Sequence, residues 1–273
     1  MNSHQIRVAF STISCPDYSF EQIAEAVRGY GYDGVELYAL EGVRLTPELL
    51  ENRMQEAKRT LAGIPVVSIN SWGKLSDPDR EERERQEAQI SRTFELAAEL
   101  GCPLVKTFGG DFPAGFEREE VIDYMAESLW RLASAAEDRG VTLVIETHDG
   151  FCLGADLGAL LDRVQHPRIA ALWDVHHPYR MGETPAETDQ FIGARVAHVH
   201  IKDAVGQNGG WQFVPLGQGE LPVKSMLSLL KLRGFKGSVA VDWEKMWHPE
   251  IEGPEQALPQ HIAMLREYLG SAA

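Results

Sequence analysis

Short apolar runs alternate with longer segments of helical periodicity along the whole chain. Runs of Val, Ile, Leu and Ala are typical of strands that are buried on both faces, and the segments between them have the spacing of amphipathic helices. The pattern predicts eight strands, at 5–13, 34–40, 65–72, 103–110, 141–148, 171–177, 196–203 and 238–245. It predicts eight helices, at 19–31, from 46 onward, and at 79–100, 117–139, 156–165, 185–193, 222–233 and 254–269.

Strict alternation of strand and helix implies parallel strands with helical crossovers, and eight such units fit a closed (β/α)8 TIM barrel of about 250 residues. The chain has 273 residues and no Pro, Gly or Ser-rich linker, so we expect one barrel domain over 1–273. An open doubly wound sheet is the alternative, but it usually carries a glycine-rich phosphate turn after its first strand, and STISCPDYS (11–19) is not one. We expect the irregular stretch 204–220 to lie over the barrel mouth.

Four of the predicted strands end in an acid or an imidazole: VTLVIETH, ALWDVHH, VAHVHIKD and SVAVDWEK. Because parallel strands open their site at the carboxyl ends, we expect Glu146, Asp174, His200 and Asp242 to share one site. Crowded carboxylates repel unless a cation holds them. One imidazole with three carboxylates suits one divalent ion, Mn²⁺, Mg²⁺ or Co²⁺, and is also compatible with Zn²⁺.

Further polar candidates surround this expected ion: Glu36, Lys106, His148, His176 or His177, Lys202, and Glu244 on the face of Asp242. The two lysines could hold a substrate oxyanion or carboxylate, or pair with neighbouring acids. Four aromatic residues could form an apolar wall for a sugar or belong to the core: Trp72, Phe108, Trp211 and Trp243.

Composition narrows the class of protein. The net charge of −15 argues against nucleic acid, whose binding draws on Lys and Arg. The three cysteines are widely spaced and fit a reducing compartment without disulfides. The sequence shows no signal peptide and no apolar stretch long enough to span a membrane, so we expect a cytoplasmic protein without membrane contact.

Seven motifs occur in order along most of the chain: GYDGVEL (31–37), VKTFGG (105–110), VIETH (144–148), WDVHH (173–177), HVHIKD (198–203), PLGQGEL (215–221) and GFKGSVAVDWE (234–244). Each is weak alone. Their ordered set resembles the xylose-isomerase-like sugar phosphate isomerase/epimerase superfamily. The resemblance is specific for the family and not for the substrate.

The resemblance implies a TIM barrel whose metal is held by Glu146, Asp174, His200 and an acid on the last strand. It also implies that His177 contacts substrate, whereas strand alternation alone favours His176. The family usually has Glu where this chain has Asp242, so the fourth ligand is Asp242 or Glu244. The tail 245–259 resembles that of sugar-isomerase-like relatives, which brings His248 and Glu250 to the pocket.

The implied activity is isomerisation or epimerisation of a sugar or sugar derivative through an enediolate, with Glu146 and Asp242 removing and returning the proton. The implied substrate-binding residues are Glu36, Lys106, His148, His177, Lys202 and Glu244. The alternative is a metal-dependent dehydratase of the inosose or 3-dehydroshikimate type. Two further alternatives are a DNA-repair enzyme of the endonuclease IV type and a non-catalytic sugar-binding protein. Barrels of this kind often pair, which implies a homodimer or higher homo-oligomer.

Overall fold

The computed structural model describes residues 6–270 and contains a closed barrel of eight parallel strands. The barrel strands are β1 Arg7–Ser11, β2 Gly34–Leu37, β3 Val66–Lys74, β4 Leu104–Phe108, β5 Thr142–Glu146, β6 Ile169–Asp174, β7 Val196–Ile201 and β8 Ser238–Val241. Each pairs with its neighbour in the sequence, and β1 closes the ring against β8 with Arg7 opposite Ser238. The predicted (β/α)8 barrel is confirmed.

Helices cover the outside of this barrel. The α-helices are Phe20–Tyr30, Pro47–Asn52, Met54–Thr60, Arg80–Leu100, Arg118–Arg139, Gly154–Val164, His176–Arg180, Pro185–Ile192, Val223–Leu232 and Pro254–Tyr268. The first begins as the sequence predicts, with Ser19 and Gln22 forming a capping box, and it ends at Gly31 with a φ of 79°. Within residues 6–270, no helix is both long and apolar enough to cross a membrane.

The structure corrects three predicted elements. The predicted strand 34–40 ends at Leu37, and Ala39–Leu40 pairs instead with Val43–Arg44 in a small antiparallel sheet. The predicted strand 171–177 ends at Asp174, because the carboxylate accepts hydrogen bonds from the backbone N–H groups of the next turn, which is helical. The single helix predicted from 46 onward is two helices that meet at Arg53.

The stretch 204–220 is not wholly irregular. Ala204–Gln207 and Gly210–Phe213 form an antiparallel hairpin. Asn208 and Gly209 connect them with φ of 50° and 79°. An Asn-Gly pair is the preferred connection for such a two-residue turn because both positions need a positive φ. The sequence therefore contained a hairpin signal that the prediction of an irregular loop missed.

Candidate active site

The four predicted ligand residues all lie at the carboxyl end of the barrel. Glu146 and Asp174 are the last residues of β5 and β6, His200 lies near the end of β7, and Asp242 directly follows β8. All four are buried, with Asp242 the most exposed at 5%. Consecutive barrel strands thus deliver three carboxylates and one imidazole to the same region, as expected for this architecture.

Three of these residues form a compact group. Glu146, Asp174 and His200 each offer a ligand atom, and these atoms lie within 4.8 Å of one another. Asp242 stands at the edge of the group, with its Oδ1 3.7 Å from His200 Nδ1. Its other oxygen, Oδ2, accepts a hydrogen bond from Lys202 at 2.7 Å.

The donor set fits a divalent cation. His200 Nδ1 and Asp174 Oδ2 are buried and have no hydrogen-bond partner among the described residues, although Glu146 Oε1 lies 3.2 Å from that nitrogen. Buried polar atoms are nearly always satisfied, so two such atoms side by side point to a missing partner. Imidazole nitrogen and carboxylate oxygen are ligands for Mg²⁺, Mn²⁺, Co²⁺ and Zn²⁺ alike.

Glu36 lies behind His200 rather than in the substrate cavity. Its carboxylate is fully buried, with oxygens 3.1 and 3.2 Å from His200 Nε2 and 2.9 Å from His198 Nε2. Burial opposes ionisation of Glu36, but the two imidazoles outweigh it and hold its pKa well below the ordinary range. The sequence predicts that Glu36 binds substrate; in the structure its carboxylate contacts His198 and His200.

His198 was missing from the predicted site. Its Nδ1 lies 2.9 Å from Ser238 Oγ, so a residue of β8 holds the ring while Nε2 contacts Glu36. Strand alternation already puts His198 and His200 on one face, which is the signal that identifies it. His198, Glu36 and His200 also lie close enough for one ligand atom of each to fall within 4.8 Å of the others.

Lys202 neutralises much of the acidic cluster. Its Nζ is 2.7 Å from Asp242 Oδ2, 2.6 Å from Glu244 Oε1 and 3.0 Å from Asp174 Oδ2, the last without the angles of a hydrogen bond. Burial opposes the charge, yet these carboxylates hold the pKa of Lys202 well above its ordinary value. Desolvation raises the pKa of Glu244 in the same cluster.

Lys106 plays the same part for Glu146. Its Nζ lies 2.7 Å from Glu146 Oε2, and both side chains are 2% exposed. Burial opposes ionisation of Glu146, but Lys106 and then His200 outweigh it and hold its pKa well below the usual range. Lys106 and Lys202 each pair with a neighbouring acid, which is one of the two roles that the sequence predicts for them. Both lysines also line the cavity.

A small cavity of about 50 Å³ opens above these groups. Its lining includes five of the six residues predicted to bind substrate: Lys106, His148, His177, Lys202 and Glu244. Glu146 and Asp242 also line it, together with Tyr38, Phe108 and Trp247. His176 does not; its ring packs against Trp211 and Phe213.

Two imidazoles form one side of the cavity. The rings of His148 and His177 are 4.5 Å apart and edge-on. Burial and then Lys202 hold the pKa of His177 well below its ordinary value, so it is neutral. Burial opposes protonation of His148, but its hydrogen bond with Asp149 raises its pKa. Asp149 in turn pairs with Lys74 at 2.8 Å.

Comparison with known proteins identifies the family. The sequence profile of the xylose isomerase-like TIM barrel family matches residues 24–268. The chain belongs to this family. It is an enzyme of the superfamily that the sequence motifs predicted, and the proteins similar to it include isomerases, epimerases and dehydratases.

Two similar sequences carry the names of an isomerase and an epimerase. A putative hydroxypyruvate isomerase of Streptomyces coelicolor is 26% identical over 238 residues, covering 80% of this chain and 83% of that protein. Fructoselysine 3-epimerase of Escherichia coli O157:H7 is 23% identical over 254 residues, covering 87% and 90%.

Three solved structures share the fold. The IolI protein with a bound zinc atom has a TM-score of 0.83 at 18% identity, covering 97% of this chain and 98% of that one. A family member from Mycobacterium smegmatis in complex with magnesium has a TM-score of 0.75 at 17% identity, covering 98% of each chain. The probable 3-DHS dehydratase AsbF of Bacillus anthracis has a TM-score of 0.77 at 17% identity, covering 95% and 98%.

Proposed function

We propose that this enzyme is a divalent-metal-dependent isomerase or epimerase of a sugar or sugar derivative. The observation that carries the proposal is the convergence of Glu146, Asp174 and His200 directly beneath a cavity lined by acids and lysines. A divalent ion bound there would supply Lewis-acid chemistry, polarising adjacent carbonyl and hydroxyl oxygens so that the C–H between them becomes acidic. The zinc and magnesium complexes of similar folds support this choice of cofactor.

The proton transfers are assigned to two carboxylates that line the cavity. Glu146 and Asp242 flank His200, with oxygens 3.2 and 3.7 Å from its Nδ1. One removes the acidic proton and the other returns it to the neighbouring carbon or to the opposite face. Both are paired with lysines, and Lys106 and then His200 hold the pKa of Glu146 well below its usual range, so that this carboxylate can accept a proton.

The remaining cavity residues orient the substrate. Neutral His177 has one ring nitrogen that donates and one that accepts, which suits a sugar hydroxyl. His148 shares that wall. Lys106 and Lys202 stabilise negative charge on the enediolate oxygens, because they are fixed cations at the cavity surface.

Asp242 is proposed as the fourth ligand in preference to Glu244. Asp242 has an oxygen 3.7 Å from His200 Nδ1 and a side chain that is 7% exposed, whereas the side chain of Glu244 is 17% exposed; Lys202 pairs with both acids. The shorter Asp side chain thus reaches the edge of the ligand group from the end of β8.

Deuterium exchange tests the proposal. The enzyme, supplied in turn with Mn²⁺, Mg²⁺, Co²⁺ and Zn²⁺, is incubated with ketoses in deuterated water, and the loss of the C–H signal next to the carbonyl is followed by NMR. We expect exchange that depends on metal and falls at least about a hundredfold in Glu146→Gln. A protein that binds none of these ions at micromolar concentration would refute the proposal.

Dehydration is the second candidate, favoured by the structural similarity to a probable dehydratase. The same carboxylate would remove a proton next to a carbonyl and return it to the β-hydroxyl group as the C–O bond breaks, so that water leaves and a C=C bond forms. The assay separates the two reactions, because only dehydration yields an unsaturated product that absorbs in the ultraviolet.

A further inference from the structure

A groove of about 570 Å³ lies beside the catalytic cavity. One wall is the hairpin 204–213, and the other is the segment that follows β8. Its lining includes Trp211, Phe213, His248, Glu250 and Glu252. None of these residues has a role in the proposed proton transfers. The sequence predicts that both segments, 204–220 and 245–259, lie near the pocket.

The groove and the cavity are neighbours separated by two side chains. The rings of Phe213 and His248 lie 4.9 Å apart on the groove side. The Phe213 ring is 5.8 Å from Lys202 Nζ, and His248 Nε2 is 3.9 Å from Glu244 Oε2, both of them cavity groups. The two spaces therefore adjoin at Phe213 and His248, and a ligand that occupies both would run past these side chains.

The volumes of the cavity and the groove favour a substrate that extends from the cavity into the groove. Pockets that hold small-molecule ligands usually measure about 300–1,000 Å³. The cavity measures about 50 Å³, well below that range. The groove supplies room of the usual size directly beside it.

The chemistry of the groove selects the kind of group that it binds. Within residues 6–270 its lining contains two tryptophans and a phenylalanine, the amides of Gln207 and Gln212, and no lysine or arginine. Aromatic faces pack against the C–H faces of sugar rings, and amides and carboxylates bond hydroxyls. Glu250 and Glu252 give the groove negative charge, which disfavours phosphate or carboxylate groups.

We infer that this groove binds an uncharged glycosyl ring attached to the sugar that reacts in the cavity. The inference rests on the proposed function and narrows its substrate class to glycosylated or similarly extended sugars. Phe213 and His248 mark the passage between the two rings, and Trp211 supplies the aromatic surface of the groove.

Four ketoses test the inference. D-Fructose is compared with turanose, lactulose and isomaltulose, which carry a glycosyl ring on different hydroxyls of the same fructose unit. Dissociation constants are measured calorimetrically with the full-length, Mg²⁺-saturated enzyme. We expect at least one disaccharide to bind about tenfold more tightly than fructose, the gain expected of one aromatic contact and the area that it buries.

Two groove variants and one control assign the gain to the groove. Trp211→Ala and the milder Gln212→Ala should reduce the disaccharide advantage and leave fructose affinity within about twofold. Trp130→Ala, at a 48% exposed tryptophan on an outer helix, should change neither affinity. Melting temperatures identify any variant that fails to fold.

The inference is overturned if no disaccharide binds more tightly than fructose, or if the advantage survives in a folded Trp211→Ala enzyme. Deuterium exchange with the same four ketoses keeps this result separate from the proposed function. If exchange occurs but no disaccharide binds more tightly than fructose, the proposed role of the groove is refuted and the proposed isomerase function is not. A disaccharide advantage that Trp211→Ala removes, without exchange from any ketose, supports the groove and counts against the isomerase.

Discussion

Replacing Glu36 by Gln tests how the metal site is built. Glu36 is fully buried, and both of its oxygens lie within 3.2 Å of His200 Nε2. A carboxylate at this distance fixes the proton on Nε2 and leaves Nδ1 free to ligate. Glutamine preserves the volume but removes the negative charge, and its amide can present either a donor or an acceptor to the ring.

The expected loss follows from the strength of that contact. A hydrogen bond to a charged group contributes about 1.5–3 kcal/mol. Removing the outer partner of a ligating histidine typically weakens metal binding by about 10–100-fold. At about 1.4 kcal/mol for each factor of ten, this loss is about 1.4–2.8 kcal/mol, so the two estimates agree. We therefore expect Glu36→Gln to raise the dissociation constant for Zn²⁺ or Mn²⁺ by about 10–100-fold.

Competition with a chromogenic chelator measures the metal affinity, and a matched substitution provides the control. Glu87 pairs with Arg131 at 2.7 Å on the outer helices and is 12% exposed. Glu87→Gln makes the same chemical change away from the barrel mouth, so it should leave metal affinity unchanged. Glu36→Asp keeps the charge and should recover part of the affinity that Glu36→Gln loses.

A folded Glu36→Gln protein with wild-type metal affinity would refute the positioning role. The stoichiometry of binding gives a second check, because Glu36, His198 and His200 also form a group with ligand atoms within 4.8 Å. Two ions per chain would show that Glu36 is itself a ligand. One ion with weakened affinity in the variant supports the role proposed here.

Four further predictions concern the same region. Lys202→Met should destabilise the protein by about 3–5 kcal/mol in urea unfolding, because it leaves buried carboxylates without their cation; an unchanged midpoint would contradict this. Asp242→Asn should weaken metal binding more than Glu244→Gln does, and the reverse order in a chelator competition would make Glu244 the ligand. Zn²⁺ at about a hundred times its dissociation constant should stabilise the fold by about 2.7 kcal/mol, or roughly 5–10 °C in melting temperature, and excess chelator should remove the gain. The pKa of Asp149 is lowered to about 2 by hydrogen bonds that outweigh burial, so its contribution to stability is present above about pH 4 and lost as the pH falls towards 2. Asp149→Asn should therefore be less stable than wild type at neutral pH and equal to it near pH 2, as judged by unfolding at each pH.

The barrel and the strand-end residues were predictable because they depend on periodicity. Eight apolar runs separated by amphipathic segments leave few arrangements, and parallel strands bring their carboxyl ends to one face. The ends of β5, β6 and β7 carry Glu146, Asp174 and His200, which the structure brings together. Periodicity also places His198 on the same strand face as His200. The sequence therefore contained the signal for His198, although the predicted site omits this residue.

Periodicity alone could not predict which residues Glu36 contacts. Alternation assigns a side chain to a face of a strand, and the depth of that side chain in the barrel depends on register. Glu36 lies opposite Ser11 in β1 and Ser68 in β3, short residues that leave it room to turn inward towards β7. The partners come from strands far apart in sequence, since Glu36 and His198 are separated by 162 positions.

The unsatisfied atoms of His200 and Asp174 support a metal more strongly than the crowding of carboxylates that the sequence predicts. Crowded carboxylates alone do not require an ion, because Lys106 and Lys202 already lie 2.7 Å from Glu146 and Asp242. Among the described residues, however, neither lysine forms a hydrogen bond with His200 Nδ1 or Asp174 Oδ2, although Lys202 Nζ lies 3.0 Å from that oxygen. A divalent ion accepts electron pairs from nitrogen and oxygen together, so one ion would satisfy both atoms. The arrangement therefore favours a cation held by Glu146, Asp174 and His200, with the lysines left to act on the substrate.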